Sequence, residues 1–339
     1  YSNRNQPTLI SSLGSGRTAL AIASGEYHTC AILDNGQVSC WGWNEDGQLG
    51  NGGTLYQSTP GLTNSLGSGR TAVAISAGDF HTCVILDDGN VSCWGANAAG
   101  QLGNGDTSNR TSPTLTDSLG TGRSAISISS GGFHTCAVLD NGSVSCWGQR
   151  EGGRLGVGGN GFSEFEQTSP ILANLFGNSV NATSISSGLY HTCATDEFGA
   201  VLCWGYNGDM QLSIGNTLNP SPTQTSSFGQ GRTVSDLSSG RYHTCTVLDN
   251  GSVSCWGLGI LGQLGNGNEY DSATPTLVSD SSGVGFNATQ VASGGYHSCA
   301  ILQSGSVSCW GAGTEGQLGS GSFSNTTVPV SINSLGNGR

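Results

Sequence analysis

The feature that most constrains this chain is a repeat marked by its cysteines. All twelve Cys fall into six pairs, and the two members of each pair lie ten residues apart. Successive pairs begin 52 to 57 residues after one another. The pairs are Cys30 with Cys40, Cys83 with Cys93, Cys136 with Cys146, Cys193 with Cys203, Cys245 with Cys255, and Cys299 with Cys309. A period of this length is typical of solenoids, propellers and other arrays of one structural unit. We therefore expect a single repeat array over residues 1–339.

Histidine and tryptophan follow the same period. The six His lie two residues before the first Cys of each pair, at His28, His81, His134, His191, His243 and His297. Six of the seven Trp directly follow the second Cys, at Trp41, Trp94, Trp147, Trp204, Trp256 and Trp310. Catalysis requires an asymmetric set of acid, base or nucleophile, so this regularity indicates structural roles. We expect each His ring to bond backbone near a turn and each Trp to pack between repeats.

Each repeat predicts four short β-strands. In the second repeat, two β-rich runs at 80–86 and 90–95 flank an Asp-Asp-Gly turn, which predicts a hairpin. The run at 71–76 predicts a strand before this hairpin. A polar loop leads to a last strand at 113–116, with Pro113 at its first position. Four antiparallel strands per repeat are typical of one blade of a β-propeller, so the predicted fold is an all-β propeller.

The array has six repeats and one additional segment. Nine of the seventeen positions in residues 1–17 are identical to those in 323–339, so 1–16 is equivalent to 323–338. Three explanations remain open: a longer array, an end displaced from the ring, or a segment that completes a blade on a neighbouring subunit. The last would produce filaments if the rotation does not close. The predicted repeats are approximately 17–69, 70–122, 123–179, 180–231, 232–285 and 286–339.

The hairpin geometry predicts that the paired cysteines are disulfides. A three-residue turn at 34–36, with Gly36 in the left-handed conformation, places Cys30 opposite Cys40. Such a pair lies outside the hydrogen bonds, with Cα atoms roughly 4.5 Å apart, which a disulfide tolerates. The alternatives are free thiols or metal sites, but structural zinc prefers shorter Cys-x2–4-Cys spacings. Six disulfides predict an oxidising compartment, either extracellular or at the cell surface.

Composition excludes several classes of function. The chain has 57 Gly, which disfavours helices. Its 22 Asp and Glu against 10 basic residues give a net charge of −12, and no cationic stripe is present. We therefore expect no nucleic-acid binding, which requires such a stripe. No run approaches the ~20 apolar residues of a membrane span, so no membrane insertion is expected.

The repeat motif resembles a known family. The sequence Gly-Glu-Tyr-His-Thr-Cys at 25–30, an Asp-Asn-Gly turn, Cys-Trp-Gly and then Gly-Gln-Leu-Gly at 47–50 resemble the regulator of chromosome condensation repeat. This resemblance implies a β-propeller, commonly of seven blades, and the paired Cys are similar to those of its secreted variants. Family members are exchange factors, light sensors, inhibitors or ectodomains, so the fold alone does not identify a function. Exchange-factor activity is not expected in an acidic, Lys-free chain. Repeat four departs from the motif, with Met-Gln-Leu-Ser at 210–213.

Three aromatic residues are candidate contacts with partners. Trp43 is the one tryptophan outside the repeat pattern, and Tyr56 and Tyr206 also lie in variable stretches. Local packing is the alternative role for Trp43. Four sequons are candidate N-glycosylation sites, at Asn109, Asn181, Asn287 and Asn325. The loops at 103–109 and 265–271 contain the oxygen ligands that calcium prefers, but turn chemistry favours the same residues. We expect no catalytic residues, no metal site and no cofactor.

The leading functional hypothesis is a non-enzymatic, extracellular structural or interaction protein. It would be a rigid, disulfide-linked propeller that binds copies of itself or another surface protein or glycan, and it could form a filament or surface layer. The alternative is a receptor-like or adhesin-like module that binds protein or glycan through its variable loops.

Overall fold

The structure is a computed structural model that describes residues 3–159, 166–173, 180–215, 218–229, 231–279 and 286–332. The chain is a six-bladed β-propeller in which every blade is a four-stranded antiparallel sheet with its strands in chain order. Within the described residues the helical structure is a short 3-10 turn at Glu151–Gly153. No helix in those residues is long and apolar enough to cross a membrane.

The strands have the same lengths in every blade except blade 4, whose third and fourth strands are each one residue longer. Blades 1 and 2 are β1 (Ala19–Ser24), β2 (His28–Leu33), β3 (Val38–Gly42), β4 (Gln57–Leu62), β5 (Ala72–Ala77), β6 (His81–Leu86), β7 (Val91–Gly95) and β8 (Arg110–Leu115). Blades 3 and 4 are β9 (Ala125–Ser130), β10 (His134–Leu139), β11 (Val144–Gly148), β12 (Gln167–Leu172), β13 (Ala182–Ser187), β14 (His191–Asp196), β15 (Val201–Tyr206) and β16 (Leu218–Gln224). Blades 5 and 6 are β17 (Val234–Ser239), β18 (His243–Leu248), β19 (Val253–Gly257), β20 (Ser272–Leu277), β21 (Ala288–Ser293), β22 (His297–Leu302), β23 (Val307–Gly311) and β24 (Thr326–Ser331).

The chain divides into two compact units. One contains residues 10–187 and 220–222, and the other contains residues 1–9, 188–219 and 223–339. In each unit the hydrophobic core lies between consecutive blades. In the first unit, Leu49 of blade 1 packs with Val84, Leu86 and Trp94 of blade 2. In the second, Leu212 of blade 4 packs with residues of blade 5 that include Trp256. The prediction that the repeated Trp packs between repeats is confirmed at these positions.

The predicted register of the central hairpin is confirmed. Cys30 is directly opposite Cys40, and Ile32 is opposite Val38. The left-handed turn residue is Gly36, with φ +76°. The other five hairpins repeat this register, so the two cysteines of every blade lie directly opposite each other on adjacent strands.

Each blade contains one disulfide, and no cysteine is free. The six disulfides join Cys30 to Cys40, Cys83 to Cys93, Cys136 to Cys146, Cys193 to Cys203, Cys245 to Cys255, and Cys299 to Cys309. The Cα atoms of each pair are 4.0 to 4.1 Å apart. This separation corrects the expected value, since it is slightly shorter than the roughly 4.5 Å of a pair outside the hydrogen bonds. The predicted pairing is unchanged.

The predicted start of the outer strand is wrong. The strand begins at Arg110, three residues before the expected position, so Pro113 is the fourth residue and not the first. The chain tolerates proline there because this is the outermost strand of the blade and pairs on one side with Val91–Gly95. The ladder also shifts register between Cys93 and Gly95, which removes Pro113 from the direct pairs.

Candidate functional site

A tight turn ahead of every repeated histidine positions one aromatic side chain per blade. In blade 1 the backbone N–H of Gly25 donates to the carbonyl of His28 at 2.9 Å. A Cβ on Gly25 would lie 2.3 Å from Cε1 of the His28 ring, so a larger residue does not fit. The same bond occurs in all six blades at 2.8 to 2.9 Å. The residue before each His, Tyr or Phe in every blade, is therefore held at the same place on its blade.

Each turn is fastened to the next blade by a set of contacts that we call the inter-blade clamp. Nε2 of His28 lies 2.8 Å from the hydroxyl of Thr82, which donates to the carbonyl of Gln48 at 3.0 Å. The indole Nε1 of Trp94 donates to the same carbonyl at 2.9 Å. One carbonyl of the Gly-Gln-Leu-Gly loop thus accepts two hydrogen bonds from the following blade. Equivalent clamps are formed by His81, Gln101, Thr135 and Trp147; by His191, Gln211, Thr244 and Trp256; and by His243, Gln263, Ser298 and Trp310.

The clamp corrects the expectation that the histidines bond backbone. Their described hydrogen bond is to a hydroxyl side chain of the next blade, which lies more than fifty residues away. Burial lowers the pKa of His28 to about 4 and that of His81, His191 and His243 to about 3, because the charged ring would lose its hydration. These rings are neutral at neutral pH. Since the hydroxyl donates to the Gln carbonyl, Nε2 carries the proton of the ring.

In blades 4 to 6 the aromatic side chains form a continuous row. The rings of Tyr190 and Tyr242 are 6.1 Å apart, and those of Tyr242 and Tyr296 are 5.5 Å apart. Tyr206 joins the row edge-on, 6.0 Å from Tyr190. All four rings are partly accessible to solvent. We call these four residues the tyrosine row. Tyr27 and Phe80 form a similar pair in blades 1 and 2, with ring centroids 6.3 Å apart.

The phenol of Tyr242, in the middle of the tyrosine row, is neutral at neutral pH. Burial and the adjacent phenols of Tyr296 and Tyr190 raise the pKa of Tyr242 to about 12. The guanidinium of Arg241 lowers the pKa of Tyr242, because its positive charge favours the phenolate. At this position the row therefore presents a neutral hydroxyl group and an aromatic face.

Two of the three candidate contact residues lie next to these aromatic residues. The backbone N–H of Trp43 donates to the carbonyl of Tyr27 at 2.8 Å, and that of Tyr206 donates to Tyr190 at 3.0 Å. Trp43 and Tyr206 thus have equivalent positions in blades 1 and 4. Trp43 is 43% exposed, Tyr206 40% and Tyr56 62%. Tyr56 directly precedes the outer strand of blade 1.

The other members of the row were not singled out from the sequence. These members directly precede a repeated His, so they follow the regular pattern that indicates a structural role. They are Tyr190, Tyr242 and Tyr296. A signal was present, because all six of these positions are aromatic although the residue before them varies from Glu to Arg.

The four candidate glycosylation sites are all on exposed residues. Nδ2 of Asn109 donates to Asp46 at 2.9 Å, and Nδ2 of Asn287 donates to Gln303 at 2.7 Å. A glycan on either residue would be attached to the Nδ2 atom that donates this bond. The side-chain oxygen of Asn325 accepts a hydrogen bond from the backbone N–H of Gly313 at 3.0 Å. Asn181 lies beside the hairpin turn at Gly142. Modification of these sites stays a prediction.

In the polar loops considered for calcium, carboxylate oxygens accept hydrogen bonds from neighbouring protein groups. In the loop at 103–109, the carboxylate of Asp106 accepts from Arg110 at 2.5 Å and from Asn97 at 3.2 Å. In the second loop, the carboxylate of Asp271 accepts from the backbone of Gly259 at 2.8 Å. Within the described part of the chain, no three His, Cys, Asp or Glu side chains are grouped so that they could hold a metal ion.

Comparisons with known proteins give a consistent family. Residues 2–339 match the RCC1-like domain. The ultraviolet-B receptor UVR8 of Arabidopsis thaliana is 30% identical over 98% of this chain and 74% of its own. The fold is similar to the crystal structure of human WBSCR16, with a TM-score of 0.87 and 22% identity over 98% of this chain and 85% of that one. It is also similar to Prp20p from Saccharomyces cerevisiae, with a TM-score of 0.81 and 22% identity over 93% and 77% of the two chains. Because the family match extends over nearly the whole chain, this protein belongs to the RCC1-like family of β-propellers.

Proposed function

We propose that this protein is a non-enzymatic, extracellular module that binds another protein, and that the tyrosine row is its contact surface. The observation that carries the proposal is the row itself, four partly exposed Tyr rings in mutual contact. Tyrosine is enriched at protein interfaces because it buries a large aromatic area and retains a hydroxyl for hydrogen bonding. Isolated exposed aromatics are ordinary, whereas a cluster of this kind is a typical anchor.

The scaffold supports the row in a way that favours binding. Tyr190 and Tyr242 each precede a His that is held by an inter-blade clamp, and each of these strands carries a disulfide. A surface on such strands loses little conformational freedom when a partner binds, so more of the contact energy contributes to affinity.

The kind of partner follows from charge and from relatives. A chain with a net charge of −12 repels nucleic acid, so a protein is the better candidate. Prp20p, which has a similar fold, has binding properties toward Gsp1p and histones. UVR8 is a receptor. We carry over from Prp20p the class of ligand, a protein, and not its identity.

The extracellular location is proposed from the disulfides. Six bridges in a chain of this length are stable in an oxidising compartment and rare in a reducing one. Expression through a eukaryotic secretory pathway tests this location together with the four sequons. We expect secreted, oxidised protein with glycans on some of them, Asn325 above all. Retention in the cell as reduced, aggregated protein would contradict the proposal.

Self-assembly into a filament is a separate hypothesis. It requires the terminal segment of one copy to complete a blade of another. In the structure, Asn5 contacts the loop residue Gly321 of its own chain. Size-exclusion chromatography with light scattering decides the question, since a filament former would increase in mass with concentration.

The binding proposal is tested by removing the row while the fold is kept. A double variant, Tyr242→Ala with Tyr296→Ala, deletes the two central rings, and Tyr270→Ala is the matched control because Tyr270 is exposed on the same unit. Biotinylated protein is screened against a panel of purified extracellular domains, and the affinity for each binder is measured. We expect the double variant to lose at least about tenfold in affinity, corresponding to 1.4 kcal/mol or more. Equal affinity of the double variant and the control would refute the role of the row.

A further inference from the structure

Tyr206, at one end of the tyrosine row, lies beside a pair of carboxylates. Its side chain lies against the loop that follows β15, since a Cβ on Gly208 would collide with the Tyr206 hydroxyl. The next residue of that loop is Asp209, which is half-buried. Burial and the negative charge of Asp271, which directly precedes the outer strand of blade 5, raise the pKa of Asp209. The row thus ends beside two carboxylates that are close enough to act on each other.

Blades 1 and 2 have an acid and an amide at the same place. Asp46 of blade 1 corresponds to Asp209, since each lies five residues after the repeated Trp of its blade. Nδ2 of Asn109, the residue before the outer strand of blade 2, donates to the carboxylate of Asp46 at 2.9 Å. Its Oδ1 accepts from the backbone N–H of Asn97 at 2.9 Å. The acid of one blade and the amide of the next therefore satisfy each other.

In blades 4 and 5 an aspartate takes the place of that amide. Asp271 directly precedes its outer strand, as Asn109 does. Its Oδ1 likewise accepts from a backbone N–H, that of Gly259 at 2.8 Å. An ionised carboxylate only accepts hydrogen bonds, so Asp271 has no N–H to donate to Asp209. The second oxygen of Asp271 and the carboxylate of Asp209 therefore form an acceptor-only pair, which is complemented by a positive group with several N–H donors.

The two chain segments beside Tyr206 are acidic. Residues 207–215 follow β15 and residues 258–271 follow β19, and neither range contains a basic residue. Their acidic residues are Asp209, Glu269 and Asp271. The cation near the row, Arg241, instead has its side chain next to Gly295 of blade 6. The Tyr206 end of the row is therefore negative. It suits one positive side chain better than a tract of them, because a tract along the row would be repelled by Arg241.

We propose that the Tyr206 end of the tyrosine row is a subsite for a single arginine side chain of a partner protein. This inference rests on the proposed function, since it assigns the chemistry of the segment that docks on the row. A guanidinium stacks on an aromatic ring through cation–π attraction. Its planar set of N–H donors also matches two acceptor groups better than the compact ammonium of lysine does. Tyr206 supplies the ring, and Asp209 and Asp271 supply the acceptors.

Asp271→Asn tests the subsite with a substitution that the fold already uses elsewhere. Asn325 directly precedes the outer strand of blade 6 and accepts from a backbone N–H, that of Gly313, at 3.0 Å. Asparagine at position 271 can therefore keep the contact with Gly259 while one carboxylate is removed. Glu197→Gln is the matched control, because it also replaces an acid by its amide and lies in the turn at the other end of β14.

The probe is a library of random twelve-residue peptides that is displayed on phage and selected against the full chain. Selected peptides are synthesised with arginine, with lysine, and with citrulline, which keeps the shape of arginine and removes its charge. We expect the selected peptides to contain arginine, and citrulline or Asp271→Asn to lower the affinity at least about tenfold. Lysine should bind more weakly than arginine. Citrulline should change little in the Asp271→Asn variant, because the two changes remove the same contact.

The subsite is refuted if the selected peptides bind Asp271→Asn as tightly as the wild type, or if Glu197→Gln weakens binding by the same factor. Equal affinity of the lysine and arginine peptides, or a selection that returns no binding peptide, also overturns it. The double variant Tyr242→Ala with Tyr296→Ala separates this inference from the proposed function. Binding that is lost in the double variant and kept in Asp271→Asn refutes the subsite alone. Binding that both variants keep refutes the role of the whole row.

Discussion

Nε2 of His28 lies 2.8 Å from the hydroxyl of Thr82, a residue of the next blade that is fully buried. This contact joins one blade to the next and recurs in both units of the chain. The period of the sequence is thus repeated as a set of buried hydrogen bonds between blades.

Replacing Thr82 by valine removes the hydroxyl and retains the shape. The ring N–H of His28 then loses its partner in a buried site, so we expect the free energy of unfolding to fall by about 2 kcal/mol. Thr82→Ser is the control, because Ser298 performs the same role in blade 6. Urea denaturation measures both variants. Equal stability of the wild type and Thr82→Val would show that the clamp contributes nothing.

The buried histidines predict a loss of stability in acid. Burial lowers the folded-state pKa of His28 to about 4 and that of His81, His191 and His243 to about 3, whereas in the unfolded chain each ring has its ordinary value of about 6.5. Protons therefore bind the unfolded chain more readily. The stability that the neutral, buried rings allow the folded chain is fully present above pH 6.5 and is lost as the pH falls toward 3 to 4. Each histidine lowers the unfolding free energy by up to about 1.4 kcal/mol per pH unit in that window.

Denaturation midpoints at intervals between pH 7 and pH 4 measure this effect. We expect the midpoint to fall steadily below pH 6.5. A midpoint that stays constant down to pH 5 would contradict the assignment of neutral, buried rings, since several histidines would otherwise take up protons on unfolding.

Removing one disulfide tests what the bridges contribute. A bridge that closes a loop of about ten residues stabilises the fold by about 2.5–3 kcal/mol in the chain-entropy model. We expect at least this loss for Cys83→Ala with Cys93→Ala, because both sulfurs are also fully buried. The pair Cys299 and Cys309 is the comparison, since it closes a loop of equal length but Cys299 is half-buried. If packing of the sulfurs adds to the effect on chain entropy, removing this second disulfide lowers the free energy of unfolding by a smaller amount. Thermal unfolding of the two variants measures which of them is less stable.

Blade 4 contains a strained position that can be relieved. Ser213 replaces the last Gly of the Gly-Gln-Leu-Gly loop and keeps its left-handed backbone, with φ +55°. Its hydroxyl is buried and has no hydrogen-bond partner among the described residues. We expect Ser213→Gly to raise the free energy of unfolding by about 1 kcal/mol, because glycine adopts this conformation without the side-chain clash. Ser213→Ala is the control that removes the hydroxyl and retains the strain. If both variants are equally stable, backbone strain is not the cause.

Local features of this protein were predictable from its sequence. The four-stranded blade, the register of Cys30 with Cys40 and the left-handed Gly36 follow from interactions within about twenty residues, where turn type and strand alternation decide the geometry. The start of the outer strand was predicted less well, because Pro113 was taken as a boundary. An edge strand tolerates proline in its interior, and pairing decides where such a strand begins.

Relationships between blades were decided by the tertiary structure alone. The period showed that His28 and Thr82 belong to consecutive repeats, but not that the ring of one faces the hydroxyl of the other. The same holds for the contact of Tyr190 with Tyr242. These groups are separated by many residues in the chain and meet because blades twist and stack at a particular angle. Local interactions in the sequence determine the blade, and the packing of one blade on the next determines which of its repeated residues are buried and which lie at the surface.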